Sequence, residues 1–464
     1  MARKRRSSAT RGIFLSFTLL AVVLMAIVAL IVYARWQTHS PERVKLAATM
    51  MEMQRRAVEA KNAVLKARES LPADSPLAPP WDCAKAVMAG NSVEIQILNT
   101  LASALLDNPD DLPQRMRDDL RSQLAPFRAS KQLTPFMQSV DPETNTPEQV
   151  MANLRDYLCT STDLAQIENG LACGLCADIP VYGGPAPQMD RKSLCLSARA
   201  VAEAQTGNLA KAVDTCLCAY RLAELTTQSR VLNGIVEKSA TDMTTDRAVW
   251  RIADISPLSA PDQERLLAEI DKRRSTTGLA ESYRFEAAHM ESGEMWGRRS
   301  DNPIDLFFRG RYGRGSMQAA ERFVPILDQP PYKTKNQLDE IRRAFDGRGG
   351  GNHPFVWTAV MAYTGHAEDA NRAEAAHVGF ALKAWKREHG AYPPSLDALD
   401  PKPLDTELLD PNTGKPAQYE TTPEGGFRIS VPIDPASQQE HRSRGTPARN
   451  AQAKTIALLW EAHN

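Results

Sequence analysis

Seven cysteines and a cluster of histidine and acidic side chains are the residues here whose types and spacing could do chemistry. The cysteines are Cys83, Cys159, Cys173, Cys176, Cys195, Cys216 and Cys218. Cys173-Gly-Leu-Cys176 has the two-residue gap of a redox or metal-binding pair, but a redox pair belongs in a βαβ setting and this neighbourhood reads as helical. Cys216-Leu-Cys218 has a gap of one, and Cys195 stands alone between the two pairs, a spacing that fits no familiar zinc framework. Disulfides among Cys173, Cys176, Cys195, Cys216 and Cys218, small buried thiols, a metal site and a redox pair all stay open, and the odd total leaves at least one thiol unpaired or shared between chains.

The second constellation is His366-Ala-Glu-Asp369 with His377, which a helix could bring to one face. A metal would need a further ligand and a cleft; a solvated helix end is the simpler reading. No zinc-protease HExxH, serine-hydrolase GxSxG, phosphate-binding P-loop, or dinucleotide glycine fingerprint in a strand–helix setting occurs. No catalytic residue, metal ligand or cofactor is therefore assigned. Trp296-Gly-Arg-Arg299, Arg309–Gly315 and Asp346–Gly351 are rich in Gly and Arg. They read as surface loops that could meet anionic lipid headgroups or envelope polymers. Lys plus Arg equals Asp plus Glu at 56 each, so the basic excess of a nucleic-acid binder is missing.

Ile13 to Tyr33 holds 21 residues without a charge. As a helix it would reach roughly 31 Å, about the thickness of a bilayer's hydrocarbon core. Arg3, Lys4, Arg5, Arg6 and Arg11 precede it, which places the N-terminus in the cytoplasm and the body on the periplasmic or outer side of an inner membrane. The chain then reads as a basic cytoplasmic tail (1–12), a transmembrane helix (13–33), a stalk helix (42–71), a helical body with the Gly/Arg-rich loops (81–365), a helix plus short sheet (366–432) and a C-terminal tail (433–464). In the stalk, Leu46, Met50, Met53, Ala57, Ala60, Val64, Ala67 and Leu71 alternate at four and three residues, a seam through which a second copy or another envelope protein could pair. The Pro-rich run from Leu71 to Pro80 ends it.

Within the body, Thr146-Pro-Glu-Gln149 and Ser259-Ala-Pro-Asp262 carry helix-start signals. Ala200, Gly207, Ala212 and Ala219 fall where two helices of a tetratricopeptide-like hairpin must approach closely. The expected fold class is mainly α: a helical-hairpin body and a small C-terminal α+β piece with a short antiparallel sheet. Thr455 to Trp460 is apolar enough to dock back on the body.

The C-terminal piece runs from a helix, Ala367 to His389, through Gly390-Ala-Tyr392-Pro393-Pro-Ser-Leu396 and Asp410-Pro411-Asn-Thr-Gly414-Lys-Pro-Ala-Gln-Tyr419 to Gly425–Val431, read as a strand pairing with 418–421. This order resembles the globular end of type II secretion pseudopilins over roughly 65 residues. The resemblance implies that Tyr392 and Tyr419 pack the sheet on the helix and that Asp410, Pro411 and Gly414 shape a turn. The whole layout is similar to single-pass bacterial envelope proteins. Gly12 stands where a pseudopilin would be cleaved, but the fifth residue after it is Phe17 rather than Glu, and Ser430 is followed by Val-Pro-Ile-Asp rather than a calcium-associated ending. No ligands are carried over. The expected function is noncatalytic, structural or interaction-mediating, in contact with membrane lipid and linked to a secretion or pilus-like apparatus. The alternatives are a tethered hydrolase-type enzyme and a helical scaffold that binds peptide or ligand in a groove around 194–290.

Overall fold

The computed structural model describes residues 55, 59, 66, 92–107, 112–172, 189–227, 232–276, 278–292, 315–345, 354–400, 403–404, 407–423, 425–432 and 456–462. The expected transmembrane helix at 13–33, Gly12, almost all of the stalk at 42–71, Cys83, Cys173, Cys176 and nearly all of the Gly/Arg-rich loops lie outside them. Among the described residues no helix is long and apolar enough to cross a membrane.

The protein is mainly helical with a small antiparallel sheet near its C-terminus. In chain order the helices are α1 (Ser92–Asp107), α2 (Gln114–Ser130), α3 (Pro135–Ser139), α4 (Pro147–Thr160), α5 (Thr162–Ala172), α6 (Met189–Gln205), α7 (Leu209–Thr227), α8 (Leu232–Ile255), α9 (Ala260–Asp271), α10 (Leu279–Ser292), α11 (Ser316–Phe323), α12 (Pro331–Phe345) and α13 (Pro354–His389). A 3-10 turn, Lys272–Arg274, follows α9. The strands are β1 (Gln418–Thr421), β2 (Phe427–Pro432) and β3 (Ile456–Ala462), in the order β1-β2-β3.

The local start signals act as their chemistry dictates. Thr146 accepts from the Gln149 amide while the Gln149 side chain accepts from the Thr146 amide, so two otherwise orphaned donors at the start of α4 are satisfied. Ser259 caps α9 in the same position, with Pro261 just inside. Between α6 and α7 the chain reverses at Gly207, whose φ of 85° a side chain would resist. Ala200, Ala212 and Ala219 are buried, which lets the two helices approach as expected. The α8 helix then packs across both. The unit is a three-helix arrangement rather than an isolated hairpin.

Two hydrophobic cores form. The larger gathers α1 to α7, the second half of α8, α9, the second half of α13 and the inward face of β2. The smaller is built from the start of α8, α10, α11, α12 and the start of α13 around Tyr283, Phe323 and Phe355, whose ring centroids lie 5.5 to 6.4 Å apart. The helix expected at Ala367 begins instead at Pro354 and runs 36 residues. Phe355, Val356, Ala359, Ala362 and Tyr363 bury its first turns in the smaller core, and Gly365 is absorbed without a break. A boundary at residue 366 therefore falls inside a continuous helix, and the C-terminal piece shares its helix with the body.

Beyond α13 the chain turns at Gly390. Tyr392 meets Phe427 edge-on at 4.8 Å, Tyr419 lies 6.3 Å from the same ring, and the Tyr419 hydroxyl donates to the Pro393 carbonyl. Asp410 accepts from the Asn412 amide and the Thr413 hydroxyl, and its carbonyl accepts from Gly414. This turn is pinned to the body by the Tyr332 amide donating to the Pro411 carbonyl and by Asn412 donating to Glu368. The β1–β2 pairing places Tyr419 opposite Ile429. The segment read as a C-terminal tail contributes β3, antiparallel to β2 with a shift in register at Ile429/Ser430.

Gly414 combines a φ of 71° with a hypothetical Cβ only 2.7 Å from the Tyr332 ring. Gly414→Ala should destabilise the protein by about 1–3 kcal/mol, measured by urea unfolding. Gly207→Ala, with open space around it, serves as the control and should cost about 1 kcal/mol or less.

Candidate functional site

The densest concentration of buried charge lies between the two cores. On α8, Lys238, Asp242 and Asp246 follow at four-residue intervals and so share one helix face. Opposite them, α13 presents Asp369 and Arg372, the 3-10 turn after α9 presents Arg273, and α7 presents Tyr220. Except for Lys238, which is partly covered, these side chains are largely buried.

Arg273 is the centre. Its guanidinium donates to both oxygens of Asp246, at 2.8 and 2.7 Å, and its Nε lies 3.5 Å from Asp242. Its carbon sits 4.5 Å from the centroid of the Tyr220 ring, whose hydroxyl donates to Asp246 at 2.7 Å. Lys238 donates to Asp242 at 2.6 Å. Arg372 pairs with Asp369 and lies 3.7 Å from Asp246, and it donates to Ser239, which in turn donates to Asp369. Three cations (Lys238, Arg273, Arg372) thus face three buried carboxylates (Asp242, Asp246, Asp369), and Lys238 also lies 3.6 Å from the exposed Glu224.

The titration behaviour follows from these pairings. Burial alone would push Asp246 up, but the Arg273 guanidinium holds its carboxyl below the usual carboxylate range. Burial would push Arg273 and Lys238 down; their carboxylate partners outweigh it and both are raised. Burial and the adjacent Asp246 keep the Tyr220 phenol protonated. His366, near Lys238, is pushed down by burial and by that ammonium. Burial, with Asp369 nearby, raises Asp242 in spite of Arg273 and Lys238, and the buried Nε of Arg372 has no hydrogen-bond partner; the remaining pairings tie α7, α8, α13 and the turn after α9 together.

The residues singled out in the sequence fall elsewhere or serve other ends. Asp369 belongs to this cluster, while His377 reaches away from it to Asp271 at 2.9 Å; the His366–Asp369–His377 set does not converge. Among the described residues no three His, Cys, Asp or Glu side chains are placed to hold a metal. Cys159, Cys195, Cys216 and Cys218 are free thiols, the small-thiol alternative of those left open for Cys195, Cys216 and Cys218. Residues 216 and 218, two apart on a helix, point to different sides, and Cys195 is fully buried. Burial pushes the thiols of Cys195 and Cys218 up to about 12, so they are inert, small core side chains. Tyr392, Pro393 and Tyr419 meet around Phe427 beyond the end of α13, whereas the Asp410–Gly414 turn lies apart from them, against Tyr332 and Glu368.

Sequence reading missed Arg273, Asp242, Asp246 and Arg372. The available signal was the i, i+4, i+8 series of charges Lys238, Asp242 and Asp246 on one helix; the partners, on segments remote in the chain, carried none.

A lone carboxyl, Glu286 on α10, contrasts with the paired cluster. It is buried, takes one hydrogen bond from the Leu232 amide, and has its Oε2 without a partner. Burial raises it from 4.5 to about 7. No family model matches the chain, and no similarity to a curated protein or to a solved structure was found.

Arg273→Met leaves buried carboxylates unpaired and should cost about 3–5 kcal/mol in urea unfolding. Glu286 responds to pH instead. Because its folded-state value lies above the unfolded one, its charge is a penalty that grows from about pH 4.5 and is complete above about pH 7. Glu286→Gln should therefore stabilise the protein at about pH 8, by up to about 3 kcal/mol, and leave it nearly unchanged at about pH 4.5. Thermal unfolding of the two proteins across that range measures the difference.

Proposed function

We propose that this chain is a noncatalytic, single-pass protein of a bacterial envelope, whose helical body acts as a structural or interaction-mediating module outside the cytoplasm. The observation that supports the noncatalytic part is the set of ion pairs between the cores. Its charged side chains are committed to one another and to holding α8, α13 and the turn after α9 in register. A catalytic site would need such groups aimed at a cleft.

The membrane anchor rests on the uncharged run at 13–33 and on the five cations that precede it. The resemblance to pseudopilins, and with it a link to a secretion or pilus-like apparatus, is supported by the order of helix, corner, Asp-Pro turn and antiparallel strands between Pro354 and Pro432. A helical scaffold that binds peptide or ligand, and a tethered hydrolase-type enzyme, are the alternatives.

The test is cell fractionation with topology reporters. The full chain should stay in the membrane fraction after alkaline carbonate washing, and deletion of residues 13–33 should release it. A reporter fused after Asn464 should be active only outside the cytoplasm. A protein recovered without detergent, or a reporter active only in the cytosol, would remove the anchor from the proposal. Processing at Gly12 is tested by mass: an intact N-terminus excludes the pilin-like route, whereas a shortened one blocked by Gly12→Val supports it.

A further inference from the structure

A second buried polar cluster lies in the larger core, where α5 meets α6 and α7. The apolar stripe of α5 is Leu164, Ile167 and Leu171, all buried, and Glu168 sits within it, 14% exposed. Its Oε1 is 2.9 Å from the Thr215 hydroxyl on α7, and that hydroxyl is 2.7 Å from Oε2 of Glu203 on α6. A threonine hydroxyl carries one hydrogen and can donate it to only one acceptor at a time. Two ionised carboxylates could not both lie within hydrogen-bond distance of it without one facing a lone pair. The two cations that face these carboxylates differ in burial. Arg199 is the deeply buried cation, 3.2 Å from Glu168 and 3.0 Å from Glu203. Lys211, 3.1 Å from Glu203, is 42% exposed and screened by water. The remaining groups around Glu168 are the thiols of Cys218, which reaches the Glu168 carbonyl, and Cys159 on α4, whose titration feels Glu203 and Arg199.

We infer that Glu168 holds a proton in the folded protein and donates it through Thr215 to Glu203, and that loss of this proton to solvent at higher pH loosens α5 from the α6–α7 pair. The chain Glu168–OH to Thr215–OH to Glu203 gives each hydroxyl hydrogen in the triad an acceptor. Deprotonation leaves two carboxylates sharing one buried guanidinium and one hydroxyl hydrogen. Burial independently pushes the Glu168 carboxyl up, against the pull of Arg199 and the Thr215 hydrogen bond. By linkage, a carboxyl raised on folding favours the docked state at low pH, and that preference is lost as pH rises through its folded value. The short α5 helix, which leads directly to Cys173 and Cys176 in the sequence, is then the element whose docking is set by pH.

The test is hydrogen exchange on the full chain in detergent, from about pH 5.5 to about pH 8.5, corrected for intrinsic rates. Protection of 162–172 should fall about tenfold or more across that range while 209–227 stays protected. Glu168→Gln, whose amide donates to Thr215 at every pH, should flatten the α5 response. Should that variant fail to fold, Glu203→Gln, which leaves Arg199 to Glu168 alone, should move the transition to lower pH. Difference infrared spectra at neutral pH should show a protonated carboxyl band that Glu168→Gln removes. Equal α5 protection at both ends of the range, an unchanged slope in Glu168→Gln, simultaneous loss of protection in α5 and α7, or the absence of that band would each overturn the inference.

Discussion

The bidentate pairing of Arg273 with Asp246 is the interaction on which the arrangement of the body depends. Along α8 the chain passes from the smaller core at Leu232 and Ile235, through the charged layer at 238–246, into the larger core from Ala248 onward. Along α13 it does the same, from Phe355–Tyr363 through 369–372 to Ala373–Leu382. Both long helices are threaded through one polar layer. Hydrophobic contact alone is tolerant of sliding, because one apolar patch packs much like another. A planar guanidinium that must meet two carboxylate oxygens is not. The layer therefore sets the relative register of α8, α13 and the turn after α9, and it keeps the two cores distinct.

Such a layer is weak as a source of net stability. Desolvating three cations and three anions offsets most of what their attraction returns, and apolar replacements of equal volume often fold as well or better. Its contribution lies in selecting one packing among several. The Glu168–Thr215–Glu203 triad differs in kind: one hydroxyl hydrogen and one deeply buried cation serve two carboxylates, the second cation, Lys211, being partly exposed. Glu286 stands at the far end of this series, with no ion pair among the described residues and a titration moved to near neutrality by burial. The three settings show one residue type held ionised, shared or neutral by its surroundings.

The C-terminal sheet is joined to the body by a small set of contacts. β2 offers Phe427, Ile429 and Val431 as an alternating buried face, Tyr392 and Tyr419 close on Phe427, and the Asp410 turn is stitched to α12 and α13. α13 supplies residues to both cores before it reaches this sheet.

Much of the secondary structure was legible in the linear chain because its causes are local. Thr146 with Gln149, Ser259 with Pro261, Gly207 between alanine-rich helices, and the Asp-Pro-x-x-Gly turn all act within a few residues. The start of α13 was misplaced because a buried helix can change partners midway, from one core to another, without a break in its backbone. The free thiols and the charged layer were decided by tertiary structure. Asp246 meets an arginine 27 residues away and Ser239 an aspartate 130 residues away, and no short-range pattern in a sequence encodes which distant helix will face it. The chain determined by itself where helices begin and turn; only packing decided which charges are partners, because the strength of an ion pair depends on burial that no residue possesses alone.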